Sequence, residues 1–88
     1  MRREWRDHLA MDPIEARILE LVAARGPAKS ICPSEAVRDT GPGWQAQLPA
    51  VRKAAVRLAL AGQIEITRHG KPIDPLAIKG VIRLRARA

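Results

Sequence analysis

The 88-residue chain has no phenylalanine, no tyrosine, no asparagine and a single cysteine. Without Phe or Tyr there is no aromatic platform on which successive bases of a single strand could stack, which weighs against RNA recognition of the RRM or OB kind. Without Asn there is no N-glycosylation acceptor. One cysteine cannot close an internal disulfide. No apolar run approaches the roughly 18–20 residues of a membrane-spanning helix, and the opening MRREWRDHLA carries no apolar stretch of the signal-peptide kind. A cytoplasmic location with no membrane partner is therefore expected. The last absence is of charge of one sign: residues 40–64 contain no carboxylate at all.

What is present is aliphatic and basic. Leu, Ile and Val number 21 and Ala 15, enough for one small domain over residues 12–88 but not for two packed cores. The formal net charge is +7, and it is one-sided. Residues 1–48 balance seven basic against seven acidic side chains, whereas residues 49–88 carry nine basic ones against only Glu65 and Asp74. A field of this kind attracts polyanions, chiefly nucleic acid. Compositional bias accounts for twelve Arg against four Lys, but not for acids vanishing from one half.

Along the chain, residues 1–11 place Trp5 and Leu9 at i,i+4 and read as a short amphipathic turn or an arm. Asp12-Pro13-Ile14-Glu15 has the form of a capping box, with Asp12 accepting from the N3 amide, Glu15 reaching back and Pro13 at N1. Ile14, Ile18, Leu21 and Val22 then share a helical face, flanked by Leu19, and Gly26-Pro27 stops the helix, predicting residues 13–25. A brief strand follows at 29–31, and Pro33 opens a second helix over 33–39 that buries Ala36 and Val37. After Gly41-Pro42-Gly43 a third helix is expected from 44 to about 61, with a short first turn at 44–47, the main body from Pro49 and Gly62 as its stop. Its buried stripe is Leu48, Val51, Ala55 and Leu58. Val56 and Leu60 fall outside that stripe and either widen the core face or mark a contact surface. Alternation then takes over: Ile64 and Ile66 share one face, as do Ile82 and Leu84, with Arg83 and Arg85 outward. This is a hairpin with a long loop, inside which Asp74-Pro75 can cap a single helical turn.

The predicted class is α+β, in the element order of a winged helix-turn-helix: three main helices, one short strand and a C-terminal β-hairpin wing. The stretches ILELVAARGPAKSICPSEAVR, WQAQLPAVRKAAVRLALAGQIEIT and GKPIDPLAIKGVIRLR resemble a family of small bacterial proteins known only as a domain of unknown function. The resemblance spans about residues 13–86 and implies a winged-helix-like fold. It implies no activity.

No catalytic constellation emerges. His8 and His69 lack any metal-ligand spacing, Gly70-Lys71 is followed by Pro72 rather than the Ser or Thr of a phosphate loop, and Ser34 has no histidine nearby in sequence to activate it. Cys32 precedes a helix N-terminus and reads as structural before reactive. No enzyme, cofactor or small-molecule ligand is expected. The favoured partner is duplex DNA, with the third helix in the major groove and the wing on adjacent phosphates, as in a transcriptional regulator. The candidate contacts are Arg52, Lys53 and Arg57 on the acid-free helix and Arg68, Lys71, Lys79, Arg83 and Arg85 on the wing. Gln45 and Gln47 are candidate readers of adenine, and Trp44 is assigned to the core before a base. The competing expectation is a protein-interaction module, with a homodimer among its forms, built on Val56, Leu60 and the Trp5/Leu9 arm.

Overall fold

A computed structural model describes residues 12–87. The reading of residues 1–11 as a turn or arm lies outside that range. The first helix, α1, spans Pro13–Arg25 with Pro13 in its first turn. Asp12 caps it, but on the N2 amide: its Oδ1 accepts from Ile14 N at 2.8 Å. Glu15 turns away from the expected capping box toward another helix. Ile18 and Val22 are buried, with Ile14, Leu19 and Leu21 packed around them.

Strand β1, Ser30–Ile31, leads into the region expected to be a second helix. That helix is instead two 3-10 pieces, Pro33–Ala36 and Arg38–Thr40, parted at Val37, whose φ of −130° leaves the helical range. Seven residues between a proline and a Gly-Pro-Gly loop are too few to propagate an α-helix. Side chains supply the missing bonds: Glu35 Oε2 accepts from Cys32 N at 2.9 Å, and Thr40 Oγ1 donates to Val37 O at 2.7 Å. Arg25, at the end of α1, ties this region down by donating to Ser30 O at 3.0 Å and to Glu35 at 2.8 Å.

A third 3-10 turn, Trp44–Gln47, runs directly into α2, Leu48–Leu60. Pro49 sits in the first turn of α2, where its missing amide proton costs nothing, so the segment joins the helix without a break. Val51, Ala54, Ala55 and Leu58 are buried. Val56 packs against the core, while Leu60 stays 58% exposed.

Strands β2 (Ile64–Arg68), β3 (Lys71–Pro72) and β4 (Arg83–Ala86) complete a four-stranded antiparallel sheet of order β1-β4-β2-β3. The expected pairing of residues 63–67 with 81–85 is found as Ile66 opposite Leu84 and Thr67 opposite Arg83. The long loop, however, begins with a second, tight hairpin. Arg68 pairs with Lys71, leaving His69 (φ +54°) and Gly70 (φ +79°) as its two-residue turn. Positive φ at both positions is what a type I′ hairpin turn requires. Farther on, Asp74 Oδ1 accepts from Leu76 N at 2.9 Å and caps a 3-10 turn, Pro75–Ala77, as expected.

Ile31, Ile64, Ile66 and Leu84 turn to one side of the sheet and meet α1 and α2 in the core. The arrangement is α+β, three helical regions and a small sheet, compatible with a winged-helix-like layout. Its consequence for function is geometric: α2 covers the inner face of the sheet and leaves the outer face open.

Candidate nucleic-acid interface

The buried stripe of α2 fixes where its cations point. Lys53 and Arg57 are exposed, and Arg52 lies half-buried on the shoulder. There Arg52 Nη2 donates to Gly80 O at 3.0 Å, across 28 residues of sequence. Arg68 ends β2 in register with Ile64 and Ile66, so alternation turns it to the same inner side. Its guanidinium lies against Gly80: a Cβ on that glycine would stand 3.1 Å from Nη2 and 3.2 Å from Cζ. Helix and strand thus bring one arginine each to a single glycine of the loop between β3 and β4. Neither forms an ion pair with a carboxylate among the described residues. Lys79 immediately precedes Gly80, and Lys71 is the cross-strand partner of Arg68; cross-strand partners share a sheet face. Lys53, Lys71 and Lys79 are all exposed.

The other three predicted contacts are placed differently. Arg57 was expected to face phosphate with no internal competitor, because its own helix has no acid. The acid comes from α1: Glu15, with its side chain only 15% exposed, forms an ion pair with Arg57 Nε. Arg83 and Arg85 sit on the outer face of the sheet, away from α2. Arg83 donates from Nε to Ser30 Oγ at 2.8 Å and from Nη2 to Ser30 O at 3.0 Å. Arg85 donates from Nε to Glu65 at 2.8 Å. The basic residues therefore form two groups on opposite faces of the sheet, not one continuous patch.

Among the remaining candidates, Gln47 Nε2 donates to Thr40 Oγ1 at 2.9 Å and serves the loop, while Gln45 is exposed. Trp44 packs against the core. Cys32 is half-buried and accepts from Ser34 Oγ at 3.2 Å. Arg17 on α1 has its pKa held above the ordinary value, chiefly by its hydrogen bond with Glu20. Among the described residues no three His, Cys, Asp or Glu side chains gather closely enough for a metal ion, and no helix is long and apolar enough to cross a membrane.

Two residues of the site carry no strong sequence signal. Gly80, with φ +74°, is the point where Arg52 and Arg68 meet. The hint was a lone glycine before an alternating run, which marks a bend or a close approach. Lys29 lies beside Arg83 and Arg85 on the outer face, and only the pairing of β1 with β4 brings it there. No curated protein matches the chain. A family model does, over residues 11–87, and the chain belongs to the family described as "Protein of unknown function (DUF3253)".

Proposed function

We propose that the chain is a winged-helix domain that binds duplex DNA through the phosphate backbone, using α2, the β2–β3 hairpin and the Gly80 loop. The observation that carries this reading is the convergence of Arg52 and Arg68 on Gly80 with no carboxylate paired to either among the described residues. Two like charges held near one another are relieved by an external anion, and guanidinium forks suit phosphate. Exposed Lys53 next to Arg52 in sequence, Lys71 opposite Arg68, and Lys79 next to Gly80 add further cations. The strand order β1-β4-β2, with the hairpin following the last helix, supports the winged-helix assignment.

The exposed stripe that opens α2, Pro49 and Ala50, offers no hydrogen-bonding group to a base edge, Gln47 is already engaged, and only exposed Gln45 in the preceding turn brings an amide to this end. Binding by phosphate contact with little sequence preference follows. Fluorescence anisotropy with random duplex DNA tests this. Five phosphate contacts give log affinity falling with log salt at a slope of about −4.5, and each of Arg52→Ala and Arg68→Ala lowers its steepness by about 0.9. Absence of binding at low salt, or unchanged affinity in the double variant, overturns the proposal. The competing interaction module rests on Val56, Leu60 and the Trp5/Leu9 arm; Val56 packs against the core, the arm lies outside the described residues, and Leu60 is 58% exposed. A salt-resistant dimer with no DNA binding in sizing chromatography would favour it.

A further inference from the structure

The outer face of the sheet holds a groove of about 390 Å3 whose lining includes Lys29, Ser30, Thr67, His69, Arg83 and Arg85. Three cations and no carboxylate line it. Glu65, opposite Arg85 across the strands, is already engaged by it. Both arginines are anchored in a way that leaves donors free. Arg83 gives its Nε and one Nη to Ser30, and Arg85 gives its Nε to Glu65. A guanidinium carries five N–H donors, so each retains several for a guest. Their planes are fixed before any guest arrives, which removes much of the ordering cost of binding. The volume falls within the roughly 300–1,000 Å3 of small-molecule sites. At the rim, His69 offers a flat ring, and Val81, 81% exposed, an apolar contact.

We propose that this groove binds a nucleotide-sized phosphomonoester, with the phosphate on Arg83, Arg85 and Lys29 and the base against His69 and Val81. Lys29 and Arg83 form no ion pair among the described residues, and these two charges match a compact dianion better than a single carboxylate or a backbone phosphodiester, each of which carries one charge; Arg85, paired with Glu65, adds N–H donors rather than net charge. A free mononucleotide and the 5′-phosphate of a strand offer the same chemistry. The site lies across the sheet from Arg52 and Arg68 and does not rest on the duplex reading.

The test is titration of the 15N-labelled full chain with adenosine 5′-monophosphate, with adenosine, and with a short single strand bearing or lacking a 5′-phosphate. The nucleotide should shift the amides of Ser30, Thr67, His69 and Arg83 saturably, and adenosine should not. Arg83→Gln and Lys29→Gln should each weaken binding about tenfold, the loss expected for one charge-assisted bond, while Arg38→Gln, at an exposed arginine outside the groove, leaves it unchanged. Tighter binding of the 5′-phosphorylated strand than of the mononucleotide supports the site with a strand end as source; equal or weaker binding supports it with a free nucleotide. The proposal is overturned if neither phosphate ligand saturates, if adenosine matches the nucleotide, or if Lys29→Gln has no effect. Lys29 is exposed and hydrogen-bonded to nothing through its side chain among the described residues, so its variant decides the matter even if Arg83→Gln disturbs β1.

Discussion

Gly80 makes a sharp test of the geometry, because one added methyl acts on the backbone and on the candidate interface together. Its φ of +74° is a conformation an L-alanine adopts at a cost of about 1–2 kcal/mol. The new Cβ would also lie 3.1 Å from Arg68 Nη2, closer than an ordinary van der Waals contact. The guanidinium is the far end of a flexible side chain and can withdraw, so this second contribution is the smaller one. Gly80→Ala should therefore cost about 1–2 kcal/mol in urea unfolding, lowering Tm by about 4–8 °C for each kcal/mol in a domain of this size. A double-mutant cycle separates the two effects. In an Arg68→Ala background the contact is gone and only backbone strain remains, so Gly80→Ala should cost about 0.5 kcal/mol less there. On DNA, Gly80→Ala should weaken binding less than Arg68→Ala does, because it moves a charge without removing it. A Gly80→Ala protein as stable as the parent would refute the strained backbone at position 80, and a cycle with no coupling would refute the placement of Arg68 against the loop.

Other substitutions probe the rest of the molecule. Arg57→Ala should reduce DNA affinity less than Arg52→Ala, because Glu15 already neutralises Arg57; Glu15→Gln should raise affinity by releasing that charge, and anisotropy at fixed low salt reads both. Glu35→Ala removes the acceptor for Cys32 N and the partner of Arg25, and should cost about 1–2 kcal/mol in denaturant unfolding; Glu35→Gln, which keeps an acceptor, should cost less. Ile66→Ala, at a position 1% exposed, should cost about 2–5 kcal/mol and leave little of a marginal small domain folded in a thermal melt. Selection from a random duplex pool should return no strong consensus, given the Pro49 and Ala50 surface of α2; recovery of a single motif would count against backbone-led binding.

Helix α1 was legible to the residue because its signals are local: Asp12 and Pro13 open it, Gly26 and Pro27 close it, and an aliphatic stripe fills the interval. The same holds for α2, whose buried face follows the 3.6-residue period, and for the pairing of β2 with β4, which follows the two-residue period. The 3-10 pieces around Val37 were not legible, since a Pro-initiated, Ala- and Val-bearing stretch reads as helix until one asks whether seven residues can hold it. The His69-Gly70 turn hid for a different reason. A residue other than glycine at positive φ is uncommon, even though histidine is among the types enriched there, and the pairing of Lys71-Pro72 beyond it is too short to show a period. Charge positions could be counted in the sequence, but not their partners. Arg57 and Glu15 are 42 residues apart, and no local pattern links them.

Alternation along β4 alone divides the cations between two surfaces. If Leu84 faces the core, Arg83 and Arg85 face away from it, and a helix that packs on the core side cannot share their surface. A common face for the third helix and both arginines conflicts with the two-residue period that identifies the strand. The described carboxylates strengthen the case for two separate anion-seeking faces. Asp12 and Asp74 cap helical turns, and Glu15, Glu20, Glu35, Asp39 and Glu65 are all in ion pairs. None forms an ion pair with Arg52, Lys53, Arg68, Lys71 or Lys79. The sheet edges are also poorly suited to recruiting a partner strand: Pro72 on β3 has no amide to donate, and Ser30 O on β1 already accepts from Arg25 and Arg83. Binding through main-chain pairing is thus disfavoured at both edges, and the surplus positive charge is displayed on the faces, where a ligand must be met by side chains and chiefly by guanidinium and ammonium groups.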